Sequence, residues 1–275
     1  MGKRMINRFL TLVIIIALGA AAFMAYGLVR REMDYKKGRE GLKEIYAVME
    51  EAAAGGSLSD SPEDPEAAAK KRLAQYRALH EKNGDMAGWV RIEGTKVDYP
   101  VMHTPDDPEF YIHRNFNKEN NSYGMIFLDG ACRLGGEDRP EETAVSQNLI
   151  LYGHHMRDGS MFAGIEDYDS KAFWESHRII EFDTLEEMGS YEVVAAFKRP
   201  AGELDEAFHA MLLAETEEDY GKLSAYIRQY RFYDTGLAWS WPERLITLAT
   251  CEYTEGDGRF FVVARQVPEE ESGAP

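Results

Sequence analysis

Eight short apolar runs follow one another from Gly88 onward, and they constrain the fold more than any other feature of this chain. Each run is rich in aliphatic and aromatic side chains and is bounded by turn-forming residues. The runs are residues 89–92, 97–101, 125–128, 148–152, 178–182, 191–197, 245–250 and 260–264. Short strands at this spacing are typical of an all-β sandwich or barrel. We therefore predict a mostly β domain with eight strands.

Three further segments have helical character. Residues 32–54 carry an apolar stripe at three- and four-residue spacings, which is the pattern of an amphipathic helix. The stripe consists of Leu42, Ile45, Tyr46 and Met49. Helix-forming residues resume at 66–82 after the turn-forming stretch 55–62, and a second amphipathic pattern occupies residues 217–230. The prediction is two helices before the β domain and one between its sixth and seventh strands.

Residues 9–29 contain no charged side chain. About 20 apolar residues are enough to cross a bilayer as a helix, so this segment predicts one transmembrane anchor. A cleaved signal peptide is the alternative, because the alanines at 20–22 offer small residues for cleavage. The apolar run continues past them to Val29, which favours an uncleaved anchor.

The charges that flank this segment give an ambiguous orientation. Three basic residues precede it and five follow it closely. These are Lys3, Arg4 and Arg8 before the segment, and Arg30, Arg31, Lys36, Lys37 and Arg39 after it. A count of flanking positive charge alone would place the large domain in the cytoplasm.

The formal net charge of the chain is −17, which argues against nucleic acid as a partner because binding to phosphates needs a basic surface. Much of this charge is expected to solvate the surface. The acidic segment 268–275 is predicted to be a tail, and no function is assigned to it.

The chain has two cysteines, which are too few for a disulfide framework. Cys132 lies in a loop-like, glycine-rich stretch, and no role is assigned to it. Cys251 ends an apolar strand, where a rigid scaffold could present a nucleophilic thiol. A buried structural cysteine is the alternative interpretation of Cys251.

Nucleophilic cysteine chemistry also needs an imidazole to move protons and a donor for the oxyanion. His154 and His155 directly follow the fourth strand, so either ring could face the same rim as Cys251. Arg259 begins the last strand after the turn-like stretch 255–258, and its planar guanidinium suits an oxyanion. Zinc ligation by the histidines and cysteines is disfavoured, because no Cys-x-x-Cys or His-x-x-x-His pattern is present. Four other histidines, expected to be structural or at the surface, are His103, His113, His177 and His209.

This combination of motifs resembles the sortase family. The residues that carry the resemblance are Tyr-Gly-His at 152–154, Thr-Leu-x-Thr-Cys at 247–251 and Arg259. Class B sortases are more closely similar, through residues 88–92, 97–101, 111–116, 123–129 and 158–162. The resemblance covers residues 66–267.

The resemblance implies an eight-stranded β-barrel with peripheral helices, held at the cell membrane by one N-terminal span with the enzyme outside the cell. It implies a division into residues 1–8 in the cytoplasm, 9–29 as the anchor, 30–86 as linker and helices, 87–267 as the catalytic barrel and 268–275 as the tail. The orientation rests on this resemblance and overrides the charge count.

The resemblance also implies the site and the reaction. Cys251 would be the nucleophile, His154 the proton-transfer residue, with His155 as second choice, and Arg259 the oxyanion stabiliser. The substrate would be a surface protein with an Asn-Pro-x-Thr-like sorting signal, passed through a thioacyl enzyme to an amine. That amine would belong to a cell-wall peptide or to a pilin lysine, and no metal or organic cofactor would be needed. An aspartate or asparagine typical of the family near the site has no counterpart, since residues 252–254 are Glu-Tyr-Thr.

Two other functions remain open at this stage. A sortase-like fold could serve as a membrane-tethered binding module, although the intact Cys251, His154 and Arg259 argue against it. A cysteine hydrolase could instead release the acyl group to water.

Overall fold

A computed structural model describes residues 2–55, 65–135, 144–251 and 258–267. Most of the predicted break at 55–62 and the whole predicted tail at 268–275 lie outside these residues. Eight strands form a closed barrel in the order β1-β2-β3-β4-β7-β8-β6-β5. The strands are β1 Met86–Arg91, β2 Asp98–Met102, β3 Ile126–Leu128, β4 Asn148–His154, β5 Ile179–Thr184, β6 Ser190–Arg199, β7 Leu245–Cys251 and β8 Arg259–Gln266.

The eight predicted strands are confirmed in number and order, but several ends differ. Strand β4 continues through Gly153 to His154, and β8 begins at Arg259. The difference arises because backbone pairing continues into residues that are not apolar: β4 pairs with β7 through the register His154 to Cys251. A prediction from apolar pattern alone therefore leaves His154 and Arg259 just outside these strands.

Five α-helices accompany the barrel in the described residues. They are α1 Lys3–Gly55, α2 Pro65–Lys82, α3 Lys171–Ser176, α4 Glu206–Leu213 and α5 Glu217–Tyr230. Helix α5 coincides with the predicted segment 217–230. Helices α3 and α4 were not predicted, because they are only 6 and 8 residues long and span too few turns to show a period. A local signal does mark α4, since the side chain of Asp205 caps it by accepting a hydrogen bond from the Phe208 N–H at 2.9 Å.

Helix α1 corrects the prediction of two separate elements at 9–29 and 32–54, because it runs without a break from Lys3 to Gly55. Residues 30–40 contain no proline to stop it. The first half exposes its apolar side chains, with Phe9 62% and Phe23 79% exposed. This helix is long and apolar enough to cross a membrane, judged by length and composition.

The second half of α1 packs on the barrel. The rings of Tyr35 and Tyr123 meet edge to face with centroids 5.5 Å apart. Ile45 is buried at 3% exposure, and the hydroxyl of Tyr46 donates a hydrogen bond to the Asp98 carbonyl at 2.6 Å. These contacts attach α1 directly to the barrel through the stripe recognised in the sequence.

The barrel interior holds most of the apolar core. Ile150 of β4, Leu248 of β7 and Val262 of β8 are each fully buried. Burying one such side chain contributes about 1.5–3 kcal/mol relative to leaving it in water. Because β7 lies between β4 and β8, this packing fixes three neighbouring strands whose ends carry the predicted site residues.

Candidate active site

The ends of β4 and β7 bring two of the predicted residues side by side. The two strands are parallel, and their register pairs Gly153 with Thr250 and His154 with Cys251. Neighbouring strands lie about 4.8 Å apart, so the backbones of His154 and Cys251 are close neighbours although 97 residues separate them in sequence. The topology therefore assembles a cysteine and a histidine at one edge of the barrel.

Glycine is required before His154 by the packing of the barrel. A Cβ atom at Gly153 would lie 2.4 Å from Cδ1 of Ile126 and 2.7 Å from the ring of Phe162. Both of those side chains are fully buried. Since successive residues of a strand face opposite sides, His154 lies on the side away from this packed interior.

The ring of His154 is held by a backbone carbonyl. Its Nε2 lies 2.6 Å from the carbonyl oxygen of Ile112. A carbonyl can only accept a hydrogen bond, so Nε2 carries a proton and donates it. In neutral His154 the lone pair is then on Nδ1, which becomes the nitrogen able to accept a proton from a thiol.

A second histidine lies against His154. The rings of His113 and His154 are stacked, with centroids 5.7 Å apart and planes inclined by 14°. His113 ends the short 3₁₀ helix Phe110–His113, which also supplies the Ile112 carbonyl. His113 was expected to have no part in the site, and its sequence context gives no signal for this contact. The 3₁₀ helix thus both orients and covers the His154 ring.

Arg259 reaches the same edge from the antiparallel strand β8. The register between β7 and β8 runs from Leu245 with Arg265 to Ala249 with Phe261, so β8 begins at the end of the barrel where β7 ends. The N–H of Phe260 donates to Oγ1 of Thr250 at 3.0 Å, which holds the two strand ends together.

The residue before Arg259 must also be glycine. Gly258 has φ +89°, in the region that favours glycine, and a Cβ there would lie 1.9 Å from the Arg199 carbonyl oxygen. The chain can therefore enter β8 this close to β6 only with glycine at 258, and that entry sets the position of Arg259.

The guanidinium of Arg259 lies over an aromatic ring. Its central carbon is 5.6 Å from the ring centroid of Tyr152, within the range of a cation–π contact. Tyr152 is two residues before His154 on β4, so both side chains are on the same side of the sheet. A guanidinium offers a planar array of hydrogen-bond donors, which is the chemistry that an oxyanion requires.

The Tyr152 hydroxyl is hydrogen-bonded to a buried carboxylate, that of Asp129. It donates to Oδ2 of Asp129 at 3.0 Å, and Nε2 of His209 donates to the same oxygen at 2.7 Å. Burial by itself would raise the pKa of Asp129, but hydrogen bonds from His209 and from the Ala131 N–H outweigh it and hold that pKa below its usual range. The hydrogen bond to Asp129 raises the pKa of His209, against the opposing effects of burial and of the nearby Arg259. Neither Asp129 nor His209 was identified from the sequence.

The remaining candidates lie elsewhere. His155 is exposed, and its Nδ1 is 3.6 Å from a carboxylate oxygen of Glu166. Cys132 is buried in the core, where its thiol donates to the Asn148 carbonyl and accepts from the Ile150 N–H, both at 3.4 Å. Burial raises the pKa of the Cys132 thiol, so the protonated and unreactive form is favoured.

Comparisons with known proteins agree with this architecture. Residues 90–267 match the sortase domain family. Sortase B of Staphylococcus aureus is 27% identical over 261 residues, covering 94% of this chain and 97% of the relative. Sortase B of Listeria monocytogenes is 28% identical over 268 residues, covering 96% and 98%. The solved Staphylococcus aureus sortase B-substrate complex is 26% identical and has a TM-score of 0.68, covering 86% of this chain and 99% of that one. The chain therefore belongs to the sortase family, and its relatives place it among the class B sortases.

Proposed function

We propose that this sortase uses Cys251 as its nucleophile, His154 as its proton-transfer residue and Arg259 as its oxyanion stabiliser. Sortases are cysteine transpeptidases, so the reaction class follows from the family. The assignment of residues rests on one observation above all, the in-register pairing of Cys251 with His154 on neighbouring strands. The approach of Arg259 from β8 supports the third role.

The proposed reaction has two acyl transfers. The Cys251 thiolate attacks a threonine carbonyl carbon, and the resulting oxyanion is stabilised by Arg259. The peptide C–N bond then breaks, and the leaving amine takes a proton from His154. An acceptor amine attacks the thioester, loses its proton to His154, and restores the Cys251 thiolate as the C–S bond breaks. One amide is exchanged for another, with no external oxidant or energy source.

For the substrate, we propose a surface protein with an Asn-Pro-x-Thr-like sorting signal, by similarity to class B sortases. The similar Staphylococcus aureus structure is described as a sortase B-substrate complex. For the acceptor, we propose the amine of a cell-wall peptide, with a pilin lysine as the alternative.

For localisation, we propose that residues 9–29 of α1 form a single-pass anchor in the cell membrane, with the barrel outside the cell. The exposed apolar first half of α1 and the action of sortases at the cell surface support this proposal. Residues 1–8 would then lie in the cytoplasm, and residues 87–267 would form the catalytic barrel.

The proposed reaction is tested with the full-length protein in detergent micelles and a panel of threonine-containing sorting peptides. We expect a thioacyl adduct on Cys251 in intact-protein and peptide-level mass spectra. With added oligoglycine or another amine, the main product should be the amide. If the product is the free acid at all amine concentrations, the protein is a hydrolase. If no peptide leaves an adduct, the binding-module alternative is favoured.

Replacing Arg259 by lysine should lower kcat/KM for peptide cleavage by roughly 100-fold. Lysine keeps the charge but loses the planar array of donors, and removing one oxyanion donor typically costs about 10²–10³ in rate. Stopped-flow or quenched measurements of acyl-enzyme formation check this value. The matched control is Arg178→Lys, an exposed arginine paired with Glu192, for which near-normal rates are expected. Near-normal rates for Arg259→Lys would remove Arg259 from the site.

A further inference from the structure

We propose that Asp129, Tyr152 and His209 form a positioning network that holds the Arg259 guanidinium in place for the acyl-transfer step. The inference rests on the proposed role of Arg259. It assigns a function to three residues that are distant in sequence from Cys251.

The network begins at a fixed carboxylate. Asp129 directly follows β3, and its backbone N–H donates to the Ile150 carbonyl of β4 at 2.8 Å. Its Oδ1 accepts from the Ala131 N–H at 2.9 Å, which locks the turn after β3. Its Oδ2 therefore occupies a defined position beside β4, where it receives hydrogen bonds from Tyr152 and His209.

The Tyr152 ring transmits this position to Arg259. The Tyr152 ring packs against the ring of Phe127, with the two centroids 5.5 Å apart. The Tyr152 hydroxyl is held by its hydrogen bond to Asp129. A flexible arginine loses rotamer entropy when it is fixed, so a rigid aromatic support reduces the cost of placing it. The Arg259 guanidinium lies over this support.

The charges of the network are balanced around the carboxylate. Asp129 carries the negative charge, while Arg259 and His209 are close enough for the charge of Arg259 to affect the pKa of His209. Without the Asp129 carboxylate, the Tyr152 hydroxyl and Nε2 of His209 would both lose their acceptor, and the ring that supports Arg259 would no longer be fixed at its tip. The Asp129 side chain is only 11% exposed and the His209 side chain is 41% exposed, so the carboxylate is sheltered while solvent reaches the network from the histidine side.

The test uses full-length protein and the rate of acyl-enzyme formation with a sorting peptide. Asp129→Asn keeps the Oδ1 contact with the Ala131 N–H, but it places an N–H donor where Oδ2 accepted two hydrogen bonds. Tyr152→Phe keeps the ring but removes the hydroxyl. We expect each to lower kcat by about tenfold with little change in KM, because the lost support acts on the transition state. The double variant should be no slower than the worse single variant.

The decisive experiment combines Asp129→Asn and Tyr152→Phe, one at a time, with Arg259→Lys. There neither change should lower the rate further, since the group they position is gone. Tyr76→Phe is the matched control, because it also removes a 3.0 Å tyrosine–aspartate hydrogen bond, to Asp183 on the remote strand β5. It should leave kcat unchanged, and melting temperatures monitor folding in all variants.

The outcomes separate the two proposals. If Arg259→Lys is slow but the network variants remain tenfold slower again in its background, the positioning network is wrong and the role of Arg259 stands. If Arg259→Lys has near-normal rates, the role of Arg259 fails and the network has nothing to position. Should Asp129→Asn fail to fold, Tyr152→Phe with and without Arg259→Lys gives the same decision.

Discussion

Replacing Cys251 by alanine is expected to abolish transpeptidation and to leave no acyl adduct on the protein. Alanine has no nucleophile, and loss of a covalent nucleophile lowers turnover on the order of 10⁴-fold or more. The measurement is product formation from a sorting peptide and an acceptor amine, with mass spectrometry of the protein after quenching. The backbone of Cys251 in β7 pairs with that of His154 in β4. Alanine is compatible with this backbone pairing, so the melting temperature should change little.

The matched control is Cys132→Ala. Because the Cys132 thiol is buried and its raised pKa favours the protonated form, this variant should form the adduct at a near-normal rate. The two variants together assign the reactive thiol without a chemical label. An adduct in the Cys251→Ala protein, or loss of the adduct in a folded Cys132→Ala protein, would contradict the proposed mechanism.

Replacing His154 by glutamine should lower kcat by about 10²–10⁴, the usual contribution of a positioned acid–base residue. The glutamine amide can still donate to the Ile112 carbonyl, as Nε2 of His154 does, but it cannot take or give a proton. The variant therefore separates proton transfer from support of the local structure. Both acylation by the peptide and release by the amine should slow, since His154 serves each step.

His155→Gln is the companion variant. The exposed His155 ring lies beside Glu166, so its replacement should leave kcat near normal. A large loss with His155→Gln and a small one with His154→Gln would transfer the proton-transfer role to His155. Rates measured from pH 5 to 9 for both variants would show which ring titrates in the reaction.

The barrel could be predicted from the sequence because the burial of each strand is visible locally as a short run of apolar residues. The apolar runs that became β4, β7 and β8 are continuous, as strands buried in a barrel should be. The same runs identified Cys251 and Arg259 by their positions at strand ends. The in-register pairing of Cys251 with His154 could not be derived in this way, since no local pattern specifies that β4 and β7 are parallel neighbours.

The positioning network could not be predicted, because its members meet only when the barrel closes. Asp129 and His209 are 80 residues apart, and His209 lies on the short helix α4, which shows no clear period. In sequence, His209 is an isolated histidine in an apolar segment, and Asp129 ends a strand in a turn. Contacts of this kind depend on tertiary structure that local composition does not record.

The unbroken course of α1 sets how far the enzyme can stand from a membrane. With residues 9–29 in the bilayer, as proposed, the five residues from Arg30 to Asp34 separate the membrane boundary from Tyr35, which packs on Tyr123 in the segment before β3. At 1.5 Å per helical residue this stretch is about 7.5 Å long. Under the proposed anchoring, so short a helical segment would hold the barrel close to the bilayer, and we expect the donor protein and the acceptor amine to be joined at the membrane surface.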